Sequence, residues 1–390
     1  MESPASGVGD RRSAAFLALV TYFFWASLYV YVPILAVHAG SLGASLSMVG
    51  IVVGAYGISQ FLLRIPLGIM SDRHGRRLPY VAAALLVAAA GAFGLAVAPD
   101  PWWLFLGRGL TGVAASGWVV FSVLFASYFP PSHVPRAMGL INFVNGLSQM
   151  SATFLGGLVA QNLGNGPTFL MGAALAVLGL VCLLPVREHP MPKQRAPGAA
   201  QIWRVATVPG LLLVSALSIF AQYTTYSTTF GFTTVYAENI GASKADLGLL
   251  TTLFFAATTV GALGMGPLME RFGSGRTLGV GMAVLGLATV FTPFTGALLP
   301  LAVVQVVTGI ARGITQPALM ALAIQDVAPA ERATAMGVYQ ALYSIGMFAG
   351  PPISGAIADA VGLPSVFAVA GAVCLAGGFW SILRRSAVRQ

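Results

Sequence analysis

Apolar stretches of about twenty residues recur along this chain, separated by short polar turns. Of the 390 residues, 57% are hydrophobic and 8% are charged, whereas soluble domains carry about 25% charged residues. A continuous apolar run of roughly twenty residues crosses a bilayer as a helix, because its backbone polar groups must bond within the segment. The length leaves room for about twelve such segments, so the sequence predicts an all-α membrane protein with 12 transmembrane helices.

The apolar runs and the turn residues between them place these twelve spans in two groups of six. A Pro-rich and basic connection, residues 186–208, indicates a linker between an N-terminal bundle (residues 1–185) and a C-terminal bundle (residues 209–390). Spans 1 to 6 are predicted at 14–36, 47–69, 78–97, from after Trp103 to about 128, 136–161 and 169–185. Spans 7 to 12 are predicted at 209–236, 247–268, 277–294, 299–326, 332–358 and 365–383.

Basic residues are distributed unevenly between the two sides of the expected membrane protein. The net charge of +9 could by itself suggest a nucleic-acid partner. Sixteen of the twenty lysines and arginines, however, fall in tails and loops of one side, and only Lys244 falls on the other. This pattern indicates a multi-pass protein of the cell (inner) membrane with both termini in the cytoplasm, and no nucleic-acid partner.

The loop between spans 2 and 3 has the most specific pattern in the chain. An ordinary cytoplasmic loop would account for its arginines, but not for its carboxylate or for glycines that permit tight turns. The loop resembles the gating motif G-x-x-x-D-R-x-G-R-R/K of the major facilitator superfamily. The resemblance implies that Asp72 and Arg73 latch the cytoplasmic side in the outward-open state. The matching residues are Gly68, Asp72, Arg73, Gly75, Arg76 and Arg77.

The two halves of the sequence repeat each other with an offset of 198 residues. This offset carries Asp72 onto Glu270 and Arg73 onto Arg271, which join the candidate gating residues. Six spans copied in the same orientation predict two bundles related by a pseudo-twofold axis along the membrane normal. Such a protein binds its substrate near the midplane, between the bundles, and alternates access by rocking.

Two further stretches resemble motifs of the same family. Arg108 in span 4 matches an arginine associated with proton coupling in proton-linked members, which makes it a coupling candidate. The alternative is a structural arginine bonded to carbonyl groups. A motif associated with antiporters is interrupted in span 5 by Ala152 and Thr153, and its intact form lies in span 11 around Gly350 and Pro351. This resemblance favours efflux.

Polar and aromatic side chains concentrate in spans 1, 4, 5, 7, 10 and 11, and must face protein or water. Because all eleven Asp and Glu residues lie in loops or at helix ends, Arg64 and Arg312 have no carboxylate at their depth. Each guanidinium therefore needs an anionic substrate group, or is structural and pairs with carbonyl groups or aromatic rings. The substrate-binding candidates are Trp25, Tyr29, Arg64, Trp118, Asn142, Asn145, Gln149, Gln222, Tyr226, Gln305, Arg312, Gln316, Tyr339 and Tyr343.

The sequence thus predicts a secondary active transporter that works by alternating access. The expected activity is proton-coupled efflux of a small amphipathic or anionic molecule, with an uptake symporter or an anion exchanger as alternatives. A channel or lipid scramblase is the alternative from another class. We expect no enzyme, cofactor or metal, because the histidines are terminal and no catalytic base adjoins a nucleophile. The expected partners are the substrate, protons and membrane lipid, and the expected state is a monomer.

Overall fold

The computed structural model of the chain describes residues 10–188, 198–328 and 331–388. The side chains of Asp72, Pro131, Ala199 and residues 383–388 lie outside that description. Within the described ranges every regular element is a helix. The predicted all-α fold is confirmed, and the described residues contain ten helical segments long and apolar enough to cross a membrane.

The N-terminal bundle follows the predicted spans, with two breaks that the sequence pattern did not show. Pro33 lies in the first turn of a second helix in span 1, and because proline has no N–H donor the helix is interrupted at Val30 and Tyr31. Span 4 is interrupted at Gly117. The helices are Arg11–Tyr29 and Val32–Ser41 (span 1), Leu46–His74 (span 2), Leu78–Ala96 (span 3), Pro101–Ser116 and Trp118–Ala126 (span 4), Val134–Leu163 (span 5) and Asn165–Leu183 (span 6).

The C-terminal bundle repeats this order after a short linker helix. That helix, Ala199–Ala206, was not predicted, and it meets span 7 at an angle of 69°. Span 7 contains a π-helical turn that the apolar pattern also missed. The helices are Pro209–Ser227, Thr228–Phe232 and Thr233–Asn239 (span 7), Lys244–Phe272 (span 8), Ser274–Phe291 (span 9), Leu298–Ala323 (span 10), Arg332–Val361 (span 11) and Leu363–Val388 (span 12).

The count of twelve spans is consistent with these helices. Counting the linker helix and span 7 as one bent span gives eleven segments that are apolar enough to cross a membrane. The remaining long helix, span 5, has 30 residues and includes Arg136 and several amide side chains, so it is more polar than the others. Spans 3, 6, 9 and 12 expose large apolar side chains on the outside of the bundles, including Leu86, Val181, Val284 and Phe379.

The bundle pair has two ends that differ in their loops. We call the end that carries Ser13 and the loops after spans 2 and 4 the basic end, because most of the arginines lie there. At this end the backbone N–H of Arg187 donates to Ser13 Oγ, and the carbonyl oxygen of Arg187 accepts a hydrogen bond from the Tyr128 hydroxyl. We call the opposite end, which carries the loops after spans 1, 5 and 7, the distal end.

Candidate substrate site

Close helix crossings hold the two bundles together at the distal end. Span 2 packs on span 11 so tightly that a Cβ atom on Gly54 would lie 2.6 Å from the carbonyl oxygen of Phe348. Span 5 crosses span 8 at a pair of glycines, where a Cβ on Gly157 would lie 2.7 Å from the Cα of Gly248. Small residues allow this approach of helix backbones. The distal end is therefore closed.

Hydrogen bonds between the bundles reinforce this closure. The carboxylate of Asp359 in span 11 accepts the backbone N–H groups of Leu46 (3.1 Å) and Ser47 (2.9 Å) at the start of span 2. Gln161 at the end of span 5 accepts the N–H of Lys244 at the start of span 8, at 3.1 Å. Each contact satisfies donors at a helix N-terminus that have no partner within their own helix.

At the basic end the bundles are apart. Among the described residues, Cβ atoms built on Gly68, Gly139, Gly266 and Gly337 in spans 2, 5, 8 and 11 would meet nothing within 4 Å. These are the same four spans that cross closely at the distal end. A cleft between the bundles therefore opens toward the basic end, and we call it the central cleft.

Aromatic rings from both bundles close the inner end of the central cleft. Trp25 packs edge-on against Trp118, with ring centroids 5.3 Å apart, and Tyr29 packs against Phe255 at 5.4 Å. Tyr56 of span 2 stacks on Tyr226 of span 7 across the bundle boundary, at 6.3 Å. The aromatic cluster comprises Trp25, Tyr29, Tyr56, Trp118, Tyr226, Phe230, Phe254 and Phe255.

Arg108 is buried against this cluster. Its guanidinium carbon lies 4.3 Å from the centroid of the Tyr56 ring, a cation–π contact, and Nη1 is 3.5 Å from Thr111 Oγ1. Tyr56 was not among the predicted residues, although it lies four and eight residues before Gln60 and Arg64 on one face of span 2.

Arg64 is also buried, and it joins the two bundles. Its Nη1 donates to the hydroxyl of Tyr343 in span 11, and its Nη2 donates to Gln60 Oε1, both at 2.5 Å. The guanidinium also lies 5.6 Å from the centre of the Tyr343 ring. Protein groups thus occupy both terminal nitrogens of Arg64.

Arg312 is half-buried, whereas Arg64 and Arg108 are buried. Its Nη1 donates to Gln222 Oε1 at 3.1 Å and to Thr225 Oγ1 at 2.9 Å, both in span 7. Gln222 also donates to Gln316, at 3.4 Å. Both accepting oxygens are neutral. No carboxylate among the described residues forms an ion pair with Arg312.

The other predicted substrate residues lie in three different settings. Gln305 and Tyr339 are buried, and the Tyr339 hydroxyl bonds to Ser218. Asn145 and Gln149 bond to each other on span 5. Asn142 is exposed and donates to a backbone carbonyl one turn earlier in its own helix.

The candidate gating residues end span 2 and lead into span 3. Gly75 takes a left-handed conformation (φ 67°) that ends the helix, and Arg73 and Arg76 are exposed. Glu188, which was not among the predicted residues, accepts the backbone N–H groups of Arg77 and Leu78 at the start of span 3. In the second copy of the motif, Glu270 and Arg271 are exposed, and the predicted role of Asp72 falls on a side chain outside the described part.

Metal binding and disulfide formation have no support in the described ranges. No group of three or more His, Cys, Asp or Glu side chains is placed to hold a metal ion there. Cys182 and Cys374 are both free.

Comparison with known proteins decides the family. The family model described as Major Facilitator Superfamily matches residues 14–237 and 212–390. The chain belongs to the major facilitator superfamily. It is therefore a transporter, and the family expected from the sequence is confirmed.

Relatives and solved structures agree with this assignment. The inner membrane transport protein YajR of Escherichia coli (strain K12) is 32% identical over 173 residues, 44% of this chain and 38% of that protein. The multi-drug resistance efflux pump PmrA of Streptococcus pneumoniae is 24% identical over 361 residues, 90% of each chain. The class C tetracycline resistance protein of Escherichia coli is 29% identical over 340 residues, 82% of each.

The fold also matches solved transporters. The nucleoside transporter NupG (D323A mutant) superposes with a TM-score of 0.79 at 16% identity, covering 95% of this chain and 98% of that one. A bacterial homologue of the human lysosomal transporter Spinster superposes with a TM-score of 0.76 at 17% identity, covering 99% and 96%. At this identity the similarity concerns the fold alone.

Proposed function

We propose that this transporter exports a small amphipathic or anionic molecule by alternating access, in exchange for protons. The observation that carries the proposal is the half-buried Arg312 in a cleft with an aromatic inner wall. Such a site offers one positive charge and a large apolar surface. The relatives named as efflux pump and tetracycline resistance protein support export as the direction.

The closed distal end and the open basic end would represent one of the two states of this cycle. With the basic end in the cytoplasm, as the loop charges predict, the described conformation is inward-open. Return to the outward-open state would bring the loop after span 2 against span 11. There Asp72 and Arg73 would form the latch, with Glu270 and Arg271 as its copy in the other bundle.

Arg108 is the proposed coupling residue. Its position between Thr111 and the Tyr56 ring, close to the inner end of the cleft, would let it respond to a protonation event in the site. The structural role remains the alternative, because the same contacts would hold a permanently charged arginine.

Anion exchange is a second candidate for coupling, and one observation favours it. All eleven acidic residues lie outside the middle of the spans, so a proton has no carboxylate there to occupy. A transporter that binds its anion at Arg312 could instead return with a second anion bound.

Flux measurements in proteoliposomes test these proposals. Organic anions, neutral molecules and organic cations would be loaded one at a time, and their release followed with and without an imposed pH gradient. We expect saturable release that the gradient accelerates, with Asp72→Asn slowing release without unfolding the protein. Release that requires an external anion and ignores the gradient would favour exchange. Release that does not saturate would indicate a channel.

A further inference from the structure

The three arginines inside the spans, Arg64, Arg108 and Arg312, differ in how much of each guanidinium is free. Arg64 and Arg108 each leave a buried Nε without a partner, enclosed by protein. Arg312 has both of its described hydrogen bonds on Nη1. Its Nη2 and Nε make no hydrogen bond among the described residues, and the side chain is half-buried where Arg64 and Arg108 are buried. Of the three, Arg312 alone offers a free edge.

That free edge has the geometry of an anion site. Nε and Nη2 form one side of the planar guanidinium, and two parallel N–H groups bind a carboxylate in a bidentate manner. Thr225 and Gln222 hold the opposite side through Nη1, which fixes the direction of the plane. A fixed plane loses less entropy on binding than a mobile one.

The surroundings of this edge are aromatic. Thr225, which bonds to Arg312, is followed in span 7 by Tyr226, whose ring stacks on Tyr56 of the other bundle. Tyr29 and Tyr343 are half-buried at the cleft, and Tyr29 continues into Phe255 and Phe230 of the aromatic cluster. A ligand anchored at Arg312 would therefore place its remaining atoms against rings from both bundles.

We infer that the substrate is an amphipathic organic anion whose carboxylate binds the Nε–Nη2 edge of Arg312 and whose apolar body packs on the aromatic cluster. This inference rests on the proposed function and narrows its substrate class. Organic cations of the same shape are excluded, because they would face three guanidinium groups and no carboxylate at that depth.

Binding of three isosteric probes tests the charge preference without any transport step. The purified protein at neutral pH is titrated with 2-naphthoate, 2-naphthamide and 2-naphthamidinium by calorimetry and thermal shift. We expect the anion to bind at least about tenfold more tightly than the other two. Equal binding of the amide or the amidinium, or no binding of the anion, would overturn the inference.

Variants locate the charge that is responsible. Arg312→Gln should weaken 2-naphthoate binding about ten- to hundredfold and abolish the preference, and Arg312→Lys should recover part of it. Thr225→Val should cause a smaller loss by freeing the guanidinium plane. The matched control is Thr229→Val, which removes the hydroxyl of another threonine four residues later in span 7. This variant should bind 2-naphthoate as the unsubstituted protein does. If Arg64→Gln removes the preference and Arg312→Gln does not, the site is elsewhere.

Failure of this inference and failure of the proposed export are distinguishable. Selective binding of the anion with no flux in proteoliposomes would contradict export but leave the Arg312 site intact. Gradient-driven flux of the amidinium would support export and reject the anion site. Melting temperatures without ligand show whether Arg312→Gln folds. If it does not, the loss of 2-naphthoate affinity in Arg312→Lys and Thr225→Val still tests the site.

Discussion

The carboxylate of Asp359, near the end of span 11, accepts the first free N–H groups of span 2 from Leu46 and Ser47. The two helices belong to different bundles and run in opposite directions. A carboxylate at a helix N-terminus is stabilised by the helix dipole and by hydrogen bonds to the free donors. The pair therefore links the bundles only while the distal end is closed.

Neutralising this carboxylate should open the distal end. An exposed charge–dipole contact contributes about 0.3–1 kcal/mol, so Asp359→Asn should increase the population of the distally open state about two- to fivefold. Spin labels at Ser41 and Val361, exposed on different bundles at this end, report the separation. Asp100→Asn is the matched control, because Asp100 caps span 4 within one bundle. Equal effects of the two variants would argue against a link between bundles.

A methyl group on the seam between spans 2 and 11 should have a stronger effect. A Cβ on Gly57 would lie 2.5 Å from the backbone nitrogen of Phe348, which cannot move as a side chain can. Overpacking of this kind costs about 1–3 kcal/mol, so Gly57→Ala should widen the distance between the labels at the distal end. Gly166→Ala, at the same end with nothing within 4 Å, should leave it unchanged. An unchanged distance in Gly57→Ala would mean that the helices slide instead.

The contact between Arg64 and Tyr343 should be specific to this conformation. Tyr343→Phe keeps the ring but removes the oxygen that Arg64 bonds across the boundary. Loss of a partner for a buried polar group costs about 1–3 kcal/mol. We expect lower thermal stability and a lower population of the distally closed state. The control is Tyr22→Phe, which removes a hydrogen bond to Ser151 within one bundle. It should lower thermal stability without changing the population of the distally closed state.

Membrane orientation can be checked by thiol labelling. In a background with Cys182 and Cys374 replaced by serine, a cysteine at Asn162 should react with an impermeant reagent added outside the cell. A cysteine at Ser132, at the basic end, should react only after lysis. Both positions are exposed at their respective ends. The opposite pattern would place the termini outside and would make the described conformation outward-open.

Periodicity and loop chemistry were sufficient to predict the fold. Apolar runs place most spans within a few residues, and the offset of 198 residues anticipates the two bundles. Local pattern did not show the π-helical turn at Thr228–Phe232, because a continuous apolar helix and an interrupted one have the same composition. Breaks of this kind depend on packing between helices.

The candidate site was predictable only in part, for a related reason. Isolated charges in apolar runs are visible in a sequence, so Arg64, Arg108 and Arg312 were found. Which of them is enclosed depends on partners such as Tyr343, which lies 279 residues from Arg64. The caps by Asp359 and Glu188 were missed because an acid at a helix end is ordinary until its distant partner is known.

A Cβ atom built on Gly68, Gly139, Gly266 or Gly337 would meet no described residue within 4 Å. Each of the four lies within a helix, where glycine costs up to about 1 kcal/mol relative to alanine. Replacing them should therefore raise the melting temperature of this conformation. The small side chains become useful only when the basic end closes and the four helices approach. Selecting variants by heat resistance alone would favour larger side chains at these four positions. Such proteins would be more stable in this conformation and would transport substrate more slowly.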